Sequence, residues 1–509
     1  MNAINKNRML YLTIFILSLV EFLQSSMTAF AAGPIMGEVS ISPEDFSLIA
    51  SAYASGAILA ISMQRWFIER IGGRRFIQAS SALFIIGTIL CALSNDFSSF
   101  LIGRVVTSLG CGALFTSSRM IIHHLLAGPN RFTGIKSLAT GVSLGIAAAP
   151  WLASVAVSHE TWSAIYWMLT AVGVLAFILA SFSLSKEPAA TSGKKSEFEF
   201  LQQVLLVGGS FGLLYSLQRF YYDFYGDVTI VALEFVASVL ALYFYLRHQK
   251  RSANPLLRVG EMLSIRYLSG LALFAFAYIM LGANNYVVPS MLQKTLGYSW
   301  ETVGNFEALG LSVAFITWLI TAKALQRYPA PKKFLIVGFA SLALFGGLLT
   351  QINTAASFWA DILPALAFNS VFLLMVLPIT AMQTFRELDQ NVSVFTNAQQ
   401  LKNMMSQVGI SLGITMATVG QQWRTTVHYS TLNSQMTPDN PIYQETMRQL
   451  QSALAPTLDA AQSAQVATAQ LAQMLAQQSA MLANIDHFTL IAVLGVLGVL
   501  VTSMQKVFK

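Results

Sequence analysis

The sequence predicts an all-α polytopic membrane protein of fourteen transmembrane helices, grouped as six, two and six. Three observations carry this expectation. Fourteen apolar stretches are each long enough, as helices, to match a hydrocarbon layer of ~30 Å, which takes about 20 residues. Of the 509 residues, 55% are hydrophobic and only 10% charged, where soluble proteins carry about 25% charged residues. Lys and Arg gather at every second junction between stretches.

The first stretch, residues 9–32, follows Lys6 and Arg8 and contains Ala29-Phe30-Ala31, which mimics a signal-peptidase site. It is longer than the usual signal core of about 7–15 residues, so it reads as an uncleaved first helix. Residues 46–66, 76–94, 97–120, 137–157 and 163–184 complete a first six-helix unit, 1–184. The polar segment Lys186–Glu199, with Pro188, Ser192 and Gly193, reads as a linker. Residues 201–218 and 228–246 form an inserted pair within a unit of 185–262, closed by a second polar segment containing Asn254-Pro255. Residues 267–288, 303–322, 334–351, 359–381, 399–421 and 486–505 make the last six-helix unit, 263–509. Two six-helix bundles plus two central helices suggest a repeat around a central pathway, with binding near the midplane.

The net charge of +7 does not point to nucleic acid, because the cations sit at span ends. Arg65, Arg70, Arg74, Arg75, Arg131, Lys136, Lys194, Lys195, Arg247, Lys250, Arg251, Lys323, Arg327, Lys332 and Lys333 occupy the even-numbered loops, and Lys506 and Lys509 the C-terminus. Acids such as Glu38, Glu44, Asp45 and Glu160 occupy odd loops. The positive-inside rule then places both termini in the cytoplasm. The long segment of about 422–485 falls on the opposite, periplasmic side, and Met447, Leu450, Leu454, Leu471, Leu475 and Leu482 predict amphipathic helices there. It reads either as a hairpin covering its own helix ends or as a docking surface. Cys91 and Cys111, both inside apolar stretches, suit packing and form no redox pair.

Between the second and third spans the chain reads Glu69-Arg70-Ile71-Gly72-Gly73-Arg74-Arg75, a Gly turn carrying cations beside a carboxylate. The stretch resembles the signature loop of the major facilitator superfamily, with Arg65 in place of the leading Gly and Glu69 in place of Asp. The resemblance implies that Glu69, Gly72, Arg70 and Arg74 form a conformational latch. In the fourth span Arg104, Thr107, Ser108, Gly110 and Gly112 are similar to that family's Arg-x-x-Gln-Gly-x-Gly. A cation within a span normally faces a cavity or partner, which makes Arg104 a functional candidate on physical grounds too. In the fifth span Gly141, Gly145, Ala149 and Ala153 recur every four residues with Pro150 among them. This makes a flat packing face and resembles the family's antiporter motif, which implies export.

Pro289-Ser290-Met291-Leu292-Gln293 after the ninth span, and Gln407-Val408-Gly409-Ile410-Ser411-Leu412-Gly413 in the thirteenth, resemble the fourteen-spanner drug:proton antiporters. That family's usual Arg in the second pattern is Ser406 here. Its usual first-span Asp, about nine residues before a Pro, is Ser25, counting from Pro34. Glu21, one turn earlier, is the only carboxylate in this span and is taken with Arg104 as the proton-coupling candidate. A carboxyl held out of water favours its neutral form, which suits a group that loads and releases a proton. Gln24, Asn284, Asn285, Glu307, Asn369 and Gln407 are candidate cavity or secondary polar sites, and Asp361 is a further acid. His123 and His124 lack a third ligand, and no metal site is expected.

No Gly-rich Lys loop and no hydrolase motif is present, so the chain is not read as an enzyme and transport is expected to draw on an ion gradient, with the proton as coupling ion and no cofactor. The expected activity is proton-coupled export of amphipathic, aromatic or cationic compounds across a bacterial inner membrane. Export of one endogenous metabolite or siderophore, and a transporter-like receptor that moves nothing, are the rival readings. The resemblance to inner-membrane pumps of tripartite multidrug exporters implies a periplasmic membrane-fusion adaptor and an outer-membrane channel as partners, beside the small-molecule substrate and the lipid bilayer.

Overall fold

The computed structural model describes residues 3–126, 128–159, 161–184, 195–222, 227–327, 330–353, 355–388, 392–456 and 458–508. Most of the expected linker after Lys186, together with Glu160 and Lys194, lies outside them. Every regular element among the described residues is helical. In chain order they are α1 (Ala3–Phe30), α2 (Ala32–Glu38), α3 (Pro43–Ile71), α4 (Gly73–Ala92), α5 (Phe97–Cys111), α6 (Leu114–Leu125), α7 (Pro129–His159), α8 (Ala164–Ser183), α9 (Phe200–Tyr222) and α10 (Val228–Arg251). There follow α11 (Ile265–Ser290), α12 (Trp300–Arg327), α13 (Pro331–Leu349), α14 (Leu363–Thr384), α15 (Val392–Asn433), α16 (Pro441–Leu454) and α17 (Ala460–Met504).

Local chemistry sets several starts. Ser42 and Asp45 form a capping box ahead of α3, with Pro43 in the first turn where its missing N–H costs nothing. Asp96 and Ser99 cap α5 in the same way, and the Ser99 backbone N–H holds the Asp96 carboxyl below its ordinary range. Asn440 and Asp459 cap α16 and α17. Between α3 and α4 the chain turns at Gly72 with φ of 82°, a left-handed conformation that a side chain disfavours.

Thirteen helical stretches among the described residues are long and apolar enough to cross a membrane, with α5 and α6 together forming one of them. The remaining span, α15, thirteenth in order, is too polar to qualify by composition. Its polar side chains Asn397, Gln399, Gln400, Lys402, Asn403 and Gln407 are all buried within the protein. Apolar side chains face outward elsewhere, as Phe182, Leu233 and Val501 do. Lipid is their solvent.

α1 packs against α7, α8 and α6, and α4 against α5 and α8. α11 packs against α15 and α14, and α13 against α17 and α14. The two sets meet where α7 packs on α12, α3 on α15, and α1 on α11. α9 lies against both α3 and α15 and carries α10 on its other side. Segment 422–485 is continuous helix over most of its length. α15 has 42 residues and α17 has 45, so each is about 60–70 Å long, twice a hydrocarbon layer. Their ends project together as a hairpin that carries α16 against α17.

Candidate functional site

The small face of α7 positions α1. A Cβ on Gly145 would stand 2.9 Å from the Leu19 carbonyl oxygen and 3.3 Å from the Leu23 nitrogen, so only glycine admits this approach to the turn that carries Glu21. Ala149 and Ala153 are fully buried, and Pro150 lies inside the helix. One turn on, α7 meets α12, where a Cβ on Gly304 would strike Ser154.

Glu21 is buried at the centre of the resulting cluster. Its two oxygens accept from opposite sides. Gln407 Nε2 on α15 donates to Oε1, and Cys111 Sγ at the end of α5 donates to Oε2 at 3.0 Å. Cys111, expected only to pack, is thus a hydrogen-bond donor. Gln24 Nε2 donates to the Tyr53 hydroxyl at 2.6 Å, and its Oε1 accepts from Arg104 at 3.0 Å. The Arg104 guanidinium also stands 4.4 Å over the Tyr53 ring and reaches Thr28 Oγ1 at 3.5 Å. Glu21, Arg104, Gln24 and Gln407 therefore converge.

Two small cavities flank Glu21. One is lined by Glu21, Ser25, Phe115, Tyr278, Ser406 and Gln407; the other by Ser25, Tyr53, Arg104 and Gln407 among others. Ser25 and Ser406, where the antiporter pattern carries Asp and Arg, face the first cavity together. Lys402 lies one turn before Ser406, as Glu21 lies one turn before Ser25. It is fully buried, with its Nζ 3.5 Å from the Tyr278 hydroxyl. Arg119 on α6 donates to Gln399 Oε1 at 2.8 Å. Sequence reasoning missed both cations because it placed them at the ends of spans, where a cation reads as topology. α15 instead begins at Val392, which puts Lys402 about 15 Å along its axis.

The other candidates disperse. Asn284 donates to Asn369 Oδ1 at 3.0 Å, linking α11 to α14. Asn285 donates to Ser26 Oγ at 3.2 Å, linking α11 to α1. Glu307 is buried on α12, and its Oε1 has no hydrogen-bond partner. Asp361 is exposed and accepts from the Ser357 backbone N–H at 2.7 Å. His123 packs against Phe395, with ring centroids 4.2 Å apart and the rings tilted by 47°; the side chain of His124 lies outside the described residues.

The halves touch on both sides of Glu21. Towards the start of α15, Gln400 donates to the Ile61 carbonyl at 3.0 Å and Asn403 to Thr116. Towards the hairpin, Ser47 meets Thr415 at 3.2 Å, and Phe30 meets Trp300 edge-on at 5.4 Å. The site is closed at both ends.

The Glu69 cluster binds connectors. Arg65 pairs with Glu69 at 2.7 Å and donates to the Pro255 carbonyl at 3.3 Å. Glu69 Oε2 accepts from Ser196 N at 2.7 Å and Oγ at 2.6 Å. Arg70 donates to the Ser196 carbonyl at 3.0 Å and Arg74 to the Leu184 carbonyl at 3.4 Å. These contacts hold the segments flanking α9 and α10.

Comparison with known proteins agrees with this architecture. The chain is 23% identical over 434 residues to EmrY of Escherichia coli K12, a probable multidrug resistance protein, covering 84% of this chain and 83% of that one. It is 19% identical over 442 residues to the multidrug export protein EmrB of the same organism, covering 86% and 85%. An uncharacterized MFS-type transporter of Bacillus subtilis, YhcA, is 22% identical, covering 86% and 81%. In fold, the chain resembles a bacterial homologue of the human lysosomal transporter Spinster in an inward-facing, unoccupied conformation, with TM-score 0.59 and 13% identity, covering 100% of this chain and 98% of that one. The POT family transporter PepTSo gives a TM-score of 0.57 at 14% identity, covering 98% and 99%. The family model of the Major Facilitator Superfamily matches residues 14–414. This multi-pass, all-helical chain, with its polar centre between two packed sets of helices, belongs to the Major Facilitator Superfamily of membrane transporters.

Proposed function

We propose that this transporter is a proton-coupled exporter of amphipathic compounds across a bacterial inner membrane, with the Arg-rich loops and both termini in the cytoplasm. One observation carries the reading: the buried Glu21 carboxylate accepts from Cys111 in one half and from Gln407 in the other. A proton on Oε1 turns that acceptor into a donor and breaks the Gln407 bond, the one of the two that crosses between the halves. A hydrogen bond to a charged group contributes about 1.5–3 kcal/mol, enough to shift a two-state equilibrium by about ten- to a hundredfold. Proton loading at Glu21 then loosens the halves, and deprotonation draws them together. Substrate entering the cavities beside Glu21 competes for the same contacts, which couples the two fluxes in opposite directions.

The likeness to multidrug export and resistance proteins supports drug-like amphiphiles as substrates. The hairpin, which projects beyond the length of a hydrocarbon layer, is the surface we assign to a periplasmic adaptor, with an outer-membrane channel beyond it. In proteoliposomes under an imposed pH gradient, Glu21→Gln is expected to abolish proton-driven substrate movement while leaving insertion and thermal unfolding near wild type. Transport at the wild-type rate in this variant removes Glu21 from the mechanism.

A further inference from the structure

The ammonium of Lys402 stands 5.0 Å from the ring centre of Phe115, 5.3 Å from Phe274 and 5.6 Å from Tyr278. Phe115 belongs to α6 in the first half; Phe274 and Tyr278 belong to α11 in the second. Three aromatic faces around one cation make the kind of box that binds alkylammonium groups. This box is full, and its occupant is tethered. Apart from the rings, the hydrogen bond of Lys402 among the described residues is a long one, 3.5 Å to Tyr278, so the aromatic faces carry much of the support of this buried ammonium.

The box adjoins the central cavity. Phe115 and Tyr278 line it together with Glu21. Glu21 is the acid nearest Lys402, and the other charges near the centre are of the same sign as Lys402. Arg104 lies over Tyr53 and Arg119 over Phe115, so two buried cations and the half-buried Arg119 stand against one carboxylate. An incoming organic cation meets like charge and finds the aromatic box occupied; an anion meets the opposite.

We propose that Lys402 is a specificity residue: by filling an aromatic box shared between the halves it excludes organic cations from the central cavity and leaves it to neutral and anionic amphiphiles. This deepens the reading of the cavity as a substrate site and rests on it. It departs from the cationic substrates that the sequence suggested.

Tetraphenylphosphonium and tetraphenylborate have nearly the same shape and opposite charge, so their binding to the full-length protein in nanodiscs separates charge from size. Empty nanodiscs correct for lipid partition. Wild type is expected to prefer the borate by at least about tenfold, Lys402→Arg to keep that preference, and Lys402→Gln to lose or reverse it. Equal binding of the two ions to wild type overturns the proposal without any variant, as does an unchanged ratio in Lys402→Gln that unfolds like wild type. Binding of neither ion overturns the cavity as a site for such substrates, and this proposal with it. Binding of both without preference rejects only the role of Lys402.

Discussion

Glu21 and Lys402 each stand one helical turn before the position where the antiporter pattern puts an acid and an Arg, Ser25 and Ser406. α1 and α15 both start at the end of the bundle that carries the Arg-rich connectors, since Thr13 meets Ser183 at 2.8 Å and Asn397 accepts from the Arg258 N–H at 2.8 Å. Both charges are therefore displaced towards the same end, by about 6 Å. Joint displacement keeps a buried acid near a buried base, which neither group tolerates losing. Moving the acid alone, Glu21→Ser with Ser25→Asp, is expected to lower proton-driven transport at least about tenfold. Adding Lys402→Leu with Ser406→Arg restores it to within a few-fold, a coupling that a double-mutant cycle measures. Additive losses would show that the two sites act independently. Glu21, Gln24, Arg104 and Gln407 were legible in the sequence because polar groups inside apolar spans are costly and so conspicuous. Lys402, Arg119 and the donor role of Cys111 were not. The first two lay at assigned span ends, and a thiol in an apolar run carries no signal of its partner.

Among the elements, α7 and α15 decide the site. α7 reads correctly from sequence as a small-residue packing face, but which helix it faces is a tertiary fact: Gly145 meets α1, and Ser154 meets α12. Gly145→Leu is expected to push α1 away, lowering the thermal unfolding midpoint by an overpacking cost of about 1–3 kcal/mol and disabling transport through Glu21. Gly347, where an added Cβ would meet nothing within 4 Å, gives the contrast: Gly347→Leu is expected to leave both measurements near wild type. Equal effects at the two positions would refute the close approach as the cause. α15 shows the opposite case. Its burial of Lys402, Gln400 and Gln407 makes it the least apolar of the fourteen spanning helices, and only its neighbours explain why so polar a helix is stable there.

Across the whole molecule, closure at both ends of the cavity and the projecting helical hairpin are the dominant features. The hairpin is anchored at its root: Asn484 donates to Thr295 Oγ1 at 3.1 Å, Gln477 to the Thr295 carbonyl at 2.7 Å, and Asp486 pairs with Arg424 and His428 at 2.6 Å each. Replacing residues 434–459 by a short Gly/Ser linker leaves that root intact. It is expected to reduce drug efflux from cells while sparing transport in proteoliposomes; unchanged efflux from cells would remove the hairpin as a docking surface. The sequence by itself determined the helical class, the number and order of the spans and the family motifs, because hydrocarbon thickness and the cost of bare backbone in lipid act on each segment separately. Only the tertiary structure decided that Glu21 bridges Cys111 and Gln407, that Lys402 fills a box made by both halves, and that segment 422–485 is two continuing helices with a third against them. Each depends on groups far apart in the chain meeting in one place, and hydropathy and spacing carry no record of that meeting.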